Sequence, residues 1–405
     1  VTVFVLVLGV ALLLAVLTSA LADRSPLSTT TVFLVVGLAA GPLGLGLVEV
    51  GSVEVEHAAE IALFAILFTD GQHASRSVVG GNWRAPTQAL AIGMPLTFLE
   101  VAALAHWVAD LPWAPALVLG AVLAPTDPVF ASALVGRDDV PAQVRHTLNI
   151  ESGLNDGLAL PAVLLLIGVA GGSPDRWSTD PWELVMEVVA GVLLGIVVPL
   201  VIAIVLRIPW VGAVEGLQPL GPLAVALMLF GACDLLDANQ FLAAFLAGGT
   251  IATVRPEASE AFRQTGELMS ELAKGAALLA FATLVDTDLF ATAGVLGVAV
   301  AVAAVLIARP LPAYASLLGT EMPTRERLSV AWFGPKGFAS VAYAVIVAFS
   351  DMDSGTEVFA LATVTVLISV VAHSSTDVAV ARLLARAEVP ARDEAEVIGG
   401  AGKRR

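Results

Sequence analysis

Apolar runs of roughly 20 residues recur along this chain, each separated from the next by a short polar stretch. At 1.5 Å per residue, such a run matches the ~30 Å hydrocarbon core of a bilayer when helical. Thirteen spans are predicted, at 1–22, 29–47, 57–71, 85–107, 113–136, 146–170, 182–206, 213–235, 239–254, 263–286, 289–318, 326–349 and 356–385. The expected fold is therefore an all-α polytopic membrane protein of about 13 transmembrane helices, forming a single transmembrane domain over 1–405. Residues 386–405, charged and containing glycine, read as a short disordered tail.

The polar stretches alternate in sign. Arg24, Arg84, Arg145, Arg207, Arg255, Arg263, Arg325, Arg327 and the tail follow odd-numbered spans, together with Arg76 and Arg137. Glu54, Glu56, Asp110, Asp234, Asp237, Asp286, Asp288, Asp351, Asp353 and Glu357 mark the other side. Sixteen of the twenty basic residues share one side; Arg176 falls opposite, and Lys274, Arg309 and Lys336 lie within spans. By the positive-inside rule, the N-terminus is expected outside and the C-terminus in the cytoplasm of a cell (plasma) membrane protein. The segment "TSALAD" carries an Ala-x-Ala pattern that could end a signal peptide. No basic residue precedes its apolar run, so the first span is read as a retained helix.

Composition agrees with a membrane chain. Hydrophobic residues make up 58%, charged residues 14%, and mean hydropathy is +0.89, against about one quarter charged in soluble domains. Cys233 is the single cysteine, which excludes an intrachain disulfide framework and a cysteine-rich metal site. The net charge of −16 gives no support for a nucleic-acid partner. Acidic residues lie on both sides, Asp138, Asp139, Glu257 and Glu260 among the inner ones.

Polar groups inside spans carry the functional signal, because a charge at mid-bilayer costs about 3 kcal/mol on insertion scales. In "NIESGLNDGLALP", Glu151, Ser152, Asn155 and Asp156 occupy one helical arc of about 140°. Asp156 falls near the middle of its span, and Glu151 nearer the inner surface. In span 5, "APTDPV" places Pro125 and Pro128 around Thr126 and Asp127; each proline removes a backbone donor and clashes with the preceding turn. In span 12, Gly334, Pro335 and Gly337 surround Lys336 in "FGPKGF". Spans 5 and 12 are the fifth members of two six-span sets, 1–6 and 8–13, which run in opposite senses. Interrupted helices at equivalent places in inverted halves point to a transporter binding site. Arg309, in "IARPLPAY", lies at a depth similar to that of Glu151, and an ion pair would satisfy both. Lys274, three residues after Glu271, reads as an inner-surface helical pair. The five histidines show no metal spacing.

These motifs resemble the cation/proton antiporters of the NhaP and sodium/proton exchanger group. "APTDPV" followed by "ESGLNDG", about 24 residues on, is specific as a pair; "DRSPLSTTTVFLVVGLAAGP", "FLAAFLAGGTIA" and "IARPLPAY" extend the similarity over nearly the whole chain. The resemblance implies a homodimer, with a mobile core bundle (about 85–170 and 289–385) moving against a dimerisation scaffold (about 1–71 and 182–286). It implies that Asp156 binds cation and proton, that Thr126 and Ser152 help ligate the cation beside Asp127, that Asn155 positions the site, and that Glu151 bridges it to Arg309. An Asn-Asp pair is associated in this superfamily with electroneutral exchange. "GPKG" departs from the Gly-Leu-Arg-Gly motif common in the family, so Lys336 keeps the charge but loses a planar fork. It is expected to compensate helix dipoles.

The expected activity is secondary sodium(or lithium)/proton antiport. A desolvated carboxylate is disfavoured as a bare charge, and either ligand neutralises it. Oxygen ligands suit a hard monovalent cation; sodium leads, with potassium an alternative. No cofactor is expected, and the chain is not expected to be an enzyme. A cation channel or sensor on the same fold is the nearer rival. An intramembrane aspartyl protease built on Asp127 and Asp156 is the remote one, its flanking signatures being absent.

Overall fold

The computed structural model describes residues 2–22, 29–48, 50–77, 83–127, 140–171, 181–206, 208 and 217–385. Pro128, Arg24, Arg137, Asp138, Asp139, Arg176, Arg207 and the tail 386–405 lie outside the described residues, as does the side chain of Arg76. Among the described residues every regular element is helical.

The helices in chain order are α1 Thr2–Ala22, α2 Thr29–Ala40, α3 Ser52–Ser77, α4 Arg84–Trp107, α5 Trp113–Leu123, α6 Ala142–Val169, α7 Pro181–Val205, α8 Leu220–Leu235, α9 Gln240–Val254, α10 Pro256–Ala282, α11 Thr287–Ser316, α12 Thr324–Trp332, α13 Phe338–Ala348 and α14 Gly355–Ala385. α12 and α13 are two halves of one predicted span, so fourteen helices correspond to thirteen spans. Among the described residues, five segments are both long and apolar enough to cross a membrane: α4, α6, α11, Val185–Val205 of α7 and Gly355–Thr376 of α14. The charges that set α3 and α10 apart from these become intelligible from packing. Both bring polar side chains to a shared inner face, where Thr69 meets Ser270 at 3.1 Å and Ser259 donates to Gln72 at 2.7 Å.

Two packing groups are evident. α3 packs against α9 and α10, α9 against α7, and α10 against α2. In the second group α4 packs on α5, α5 on α6, and α14 on both α11 and α13. The groups meet where α3 lies against α6 and α13, and where α9 touches α6. Close approach within the first group depends on glycine. A Cβ on Gly71 would strike the carbonyl of Phe245, and one on Gly248 would strike the carbonyl of Phe68. Small residues let helix backbones approach inside a membrane, where the hydrophobic effect cannot drive them together.

Two side-chain caps fix helix entries: Asn239 accepts from the Leu242 N–H and Asp286 from the Leu289 N–H, each at 2.8 Å. Short π-helical turns interrupt α4 at Ala89–Gly93 and α11 at Ala304–Ala308. The second sits directly before Arg309, whose N–H donates to the Ala304 carbonyl five residues back. Such bulges often mark functional positions in helices.

Candidate functional site: the crossing of two interrupted helices

α5 ends at Leu123 and the chain continues without helix through Pro125, Thr126 and Asp127. α12 ends at Trp332, and residues 333–337 are likewise non-helical before α13 begins at Phe338. The prolines and glycines produce both interruptions: Pro125 and Pro335 lack a donor, and Gly334 and Gly337 give the backbone room. The two extended segments cross. The Asp127 N–H donates to the Pro335 carbonyl at 2.9 Å. A Cβ on Gly337 would fall on the Asp127 side chain, so only glycine permits this contact. Gly334 packs in the same way beneath the Arg309 guanidinium.

A broken helix leaves exposed N–H groups at one end and exposed carbonyls at the other, with opposite partial charges. Here each end is met by a side chain from the opposing segment. The Asp127 carboxylate accepts from the Phe338 N–H at 3.1 Å, at the positive start of α13. The Lys336 ammonium, 1% exposed, faces the Pro125 carbonyl at 3.4 Å, beyond the negative end of α5. The Lys336 N–H is held by Ser369 Oγ at 2.8 Å. His373, on the same helix as Ser369, contacts the Trp332 carbonyl at 3.0 Å and so ties down the end of α12.

Against this crossing lies α6. Its polar stripe, Glu151, Ser152, Asn155 and Asp156, is buried in full. Asp156 is about 21 Å along the helix from Ala142, near its midpoint. The Asn155 amide donates to the Thr126 hydroxyl at 2.8 Å and to its carbonyl at 3.2 Å, clamping α6 to the interrupted segment of α5. Arg309 Nη2 donates to Glu151 Oε1 at 2.6 Å, with both side chains buried. Asp156 Oδ1 and Asn155 Oδ1 have no hydrogen-bond partner among the described residues. Buried acceptor oxygens are ordinarily satisfied, so bare ones on two adjacent residues call for an explanation.

The structure thus gathers Thr126, Asp127, Glu151, Asn155, Asp156, Arg309 and Lys336 around one crossing, binds Asp127 to a helix end, and buries Ser152 on the same stripe of α6. Two groups, Tyr343 and Asp70, escaped the sequence reading, and the burial of a third, Lys274, was not foreseen. Tyr343 donates from its hydroxyl to the Asp156 carbonyl at 2.6 Å. Asp70 of α3 is one of the charges acting on Asp156, with Asp127 and Lys274. Lys274 makes its expected 3.2 Å bond to Glu271, but its own side chain is buried, 6% exposed, rather than water-facing. Asp70 could have been noticed as an acid in "LFAILFTDGQ", and Tyr343 as one of only two tyrosines.

Residues 10–382 match the family model described as sodium/hydrogen exchanger, transmembrane. The chain belongs to that family. This exchanger-family chain is 27% identical over 393 residues to the K(+)/H(+) antiporter NhaP of Alkalimonas amylolytica, covering 95% of itself and 67% of the relative. It is 24% identical over 379 residues to the K(+)/H(+) antiporter NhaP2 of Shewanella sp. (strain MR-4), covering 93% and 66% respectively. It therefore spans about two thirds of the length of these relatives. The sodium proton antiporter MjNhaP1 from Methanocaldococcus jannaschii, solved at pH 8, matches with a TM-score of 0.75 at 21% identity, over 94% of this chain and 98% of that one. The fold is thus that of an NhaP-type antiporter, and the chain is a multi-pass membrane protein.

Proposed function

We propose that this protein exchanges a monovalent cation for a proton, one for one, with Asp156 holding either ligand but not both. The observation that carries this reading is the bare, buried Oδ1 of Asp156 at the helix crossing. Desolvation disfavours an unneutralised carboxylate, so the site passes an apolar barrier readily when it carries a cation or a proton and poorly when empty. Fluxes coupled in this way need no cofactor. Thr126, Ser152 and the Asn155 carbonyl oxygen are the proposed co-ligands of Asp156. Asp127, Lys336 and the Glu151–Arg309 pair are the fixed frame. Sodium or lithium is proposed as the principal cation. Potassium is the second reading, favoured by the activity that the names of the NhaP and NhaP2 relatives record.

The engagement of Asp127 with the start of α13 favours transport over a two-aspartate protease, in which both acids would face substrate. The packing group containing α4, α5, α6 and α11 to α14 is proposed to move as the core. The group containing α3, α7, α9 and α10 is proposed as the scaffold of a homodimer, with the N-terminus outside and the C-terminus in the cytoplasm.

The test uses proteoliposomes holding an outwardly directed proton gradient reported by a quenched pH dye. Sodium, lithium and potassium are added side by side. The expected result is dequenching by at least one of them, abolished in Asp156→Asn with the protein still folded. Normal exchange by that variant refutes the assignment, and cation flux without proton counterflux favours a channel.

A further inference from the structure

Lys274 is the charged group that the proposed mechanism leaves unused. It lies on α10, in the packing group opposite Asp156, yet its side chain is buried, one turn from the serine that meets α3. One turn away, Ser270 bonds to Thr69 at 3.1 Å and to the Ala65 carbonyl at 3.1 Å, pinning α10 to the turn of α3 that carries Asp70. The same α3 packs against α6 and α13. Phe245 of α9 lies against Gly157, next to Asp156, while its carbonyl lies against Gly71, next to Asp70. The turns that carry Lys274, Asp70 and Asp156 are therefore linked through α3 and α9 where the two groups meet, and Lys274 acts electrostatically on Asp127 and Asp70 as well as on Asp156. Its amine donates to Glu271 at 3.2 Å, and the Glu271 side chain is 43% exposed.

The other two cations of the site are already engaged. Arg309 is paired with Glu151, and Lys336 faces the end of α5. Lys274 is thus the cation left to compete with the transported ion for Asp156, and Glu271 is the anchor that restrains it. We infer that Lys274 is a tethered competitor that sets the apparent cation affinity of the exchange site, with Glu271 holding it back. The inference rests on Asp156 being that site. Because Lys274 and Asp156 belong to different packing groups, relative motion of the groups changes the competition, and affinity differs between the two faces.

Two substitutions with opposite effects test this. Lys274→Gln removes the competitor and lowers the half-saturating cation concentration about tenfold, as expected for removing one nearby unit charge from a partly screened site. Glu271→Gln, half-exposed and tolerant of change, frees the amine and raises that concentration. Lys274→Arg keeps it near the wild-type value. Each is measured twice, by exchange in proteoliposomes and by cation-dependent thermal stabilisation of purified protein, which needs no transport. A merely structural lysine would lower melting temperature and maximal rate without improving affinity. Half-saturation that is unchanged or raised in Lys274→Gln overturns the inference, as does unchanged half-saturation in Glu271→Gln. A wild-type protein that neither binds nor exchanges any alkali cation overturns the exchange reading itself.

Discussion

The Glu151–Arg309 pair allows the frame of the site to be separated from its moving parts. With 2.6 Å between Nη2 and Oε1, the gross attraction is about 6 kcal/mol at an effective dielectric of 20. That figure is not the contribution to stability, because burying both ions costs several kcal/mol in lost hydration. The informative perturbation removes one partner. Glu151→Ala strands a guanidinium that is 3% exposed and that Gly334 presses from beneath. The expected loss is about 3–5 kcal/mol, the range for breaking a buried pair from one side. Glu151→Ala combined with Arg309→Met removes both charges and should recover most of that loss. The double-mutant cycle then gives a coupling energy of the same sign and order. Thermal unfolding in detergent can be followed with a thiol-reactive dye, because Cys233 is free and 1% exposed, and becomes reachable only on unfolding. Exchange per folded molecule should fall less than stability does. A single Glu151→Ala variant that melts with the wild type, or a double variant that melts below both singles, would refute the reasoning.

The crossing itself should tolerate no side chain at its centre. Gly337→Ala drives a methyl group into Asp127, and is expected to cost about 1–3 kcal/mol, the overpacking range, and to eliminate exchange; Gly231→Ala, with open space around it, should melt no lower than wild type in the same dye assay. Tyr343→Phe removes the 2.6 Å bond to the Asp156 carbonyl, worth about 1 kcal/mol net. Initial exchange rates should then fall by less than about tenfold, with a small loss in melting temperature; complete loss of exchange would mean the hydroxyl does more than hold α6.

Much of this architecture was legible in the sequence because the strongest signals are local. A bilayer demands long apolar runs, so the spans stand out, and proline and glycine interrupt a helix wherever they occur, so the breaks at 125 and 334–337 stand out too. The matched depth of Glu151 and Arg309 followed from counting residues along two helices. What escaped was tertiary. Asp70 stood at the edge of the expected span 57–71, where an acid attracts no notice, but α3 continues to Ser77 and leaves that residue inside the helix. Lys274 looked like half of a surface pair because Glu271 lies one turn before it; its burial depends on helices packed over α10 that the local sequence does not show. Tyr343 is one more apolar position in "FASVAYAVIVA" until α6 is placed beside it.

The distribution of charge at the crossing bears on stoichiometry. If Asp127 gave up its charge during the cycle, the start of α13 would lose the anion that accepts from Phe338. If either member of the Glu151–Arg309 pair were neutralised, the other would be left charged and buried, at a cost of several kcal/mol. Each of these changes removes a partner, whereas loading Asp156 supplies one to a bare Oδ1. Among these groups, a change of charge at Asp156 meets the smallest electrostatic penalty. A cycle confined to that change moves one proton for each monovalent cation, which is the physical ground for expecting exchange that is insensitive to membrane potential.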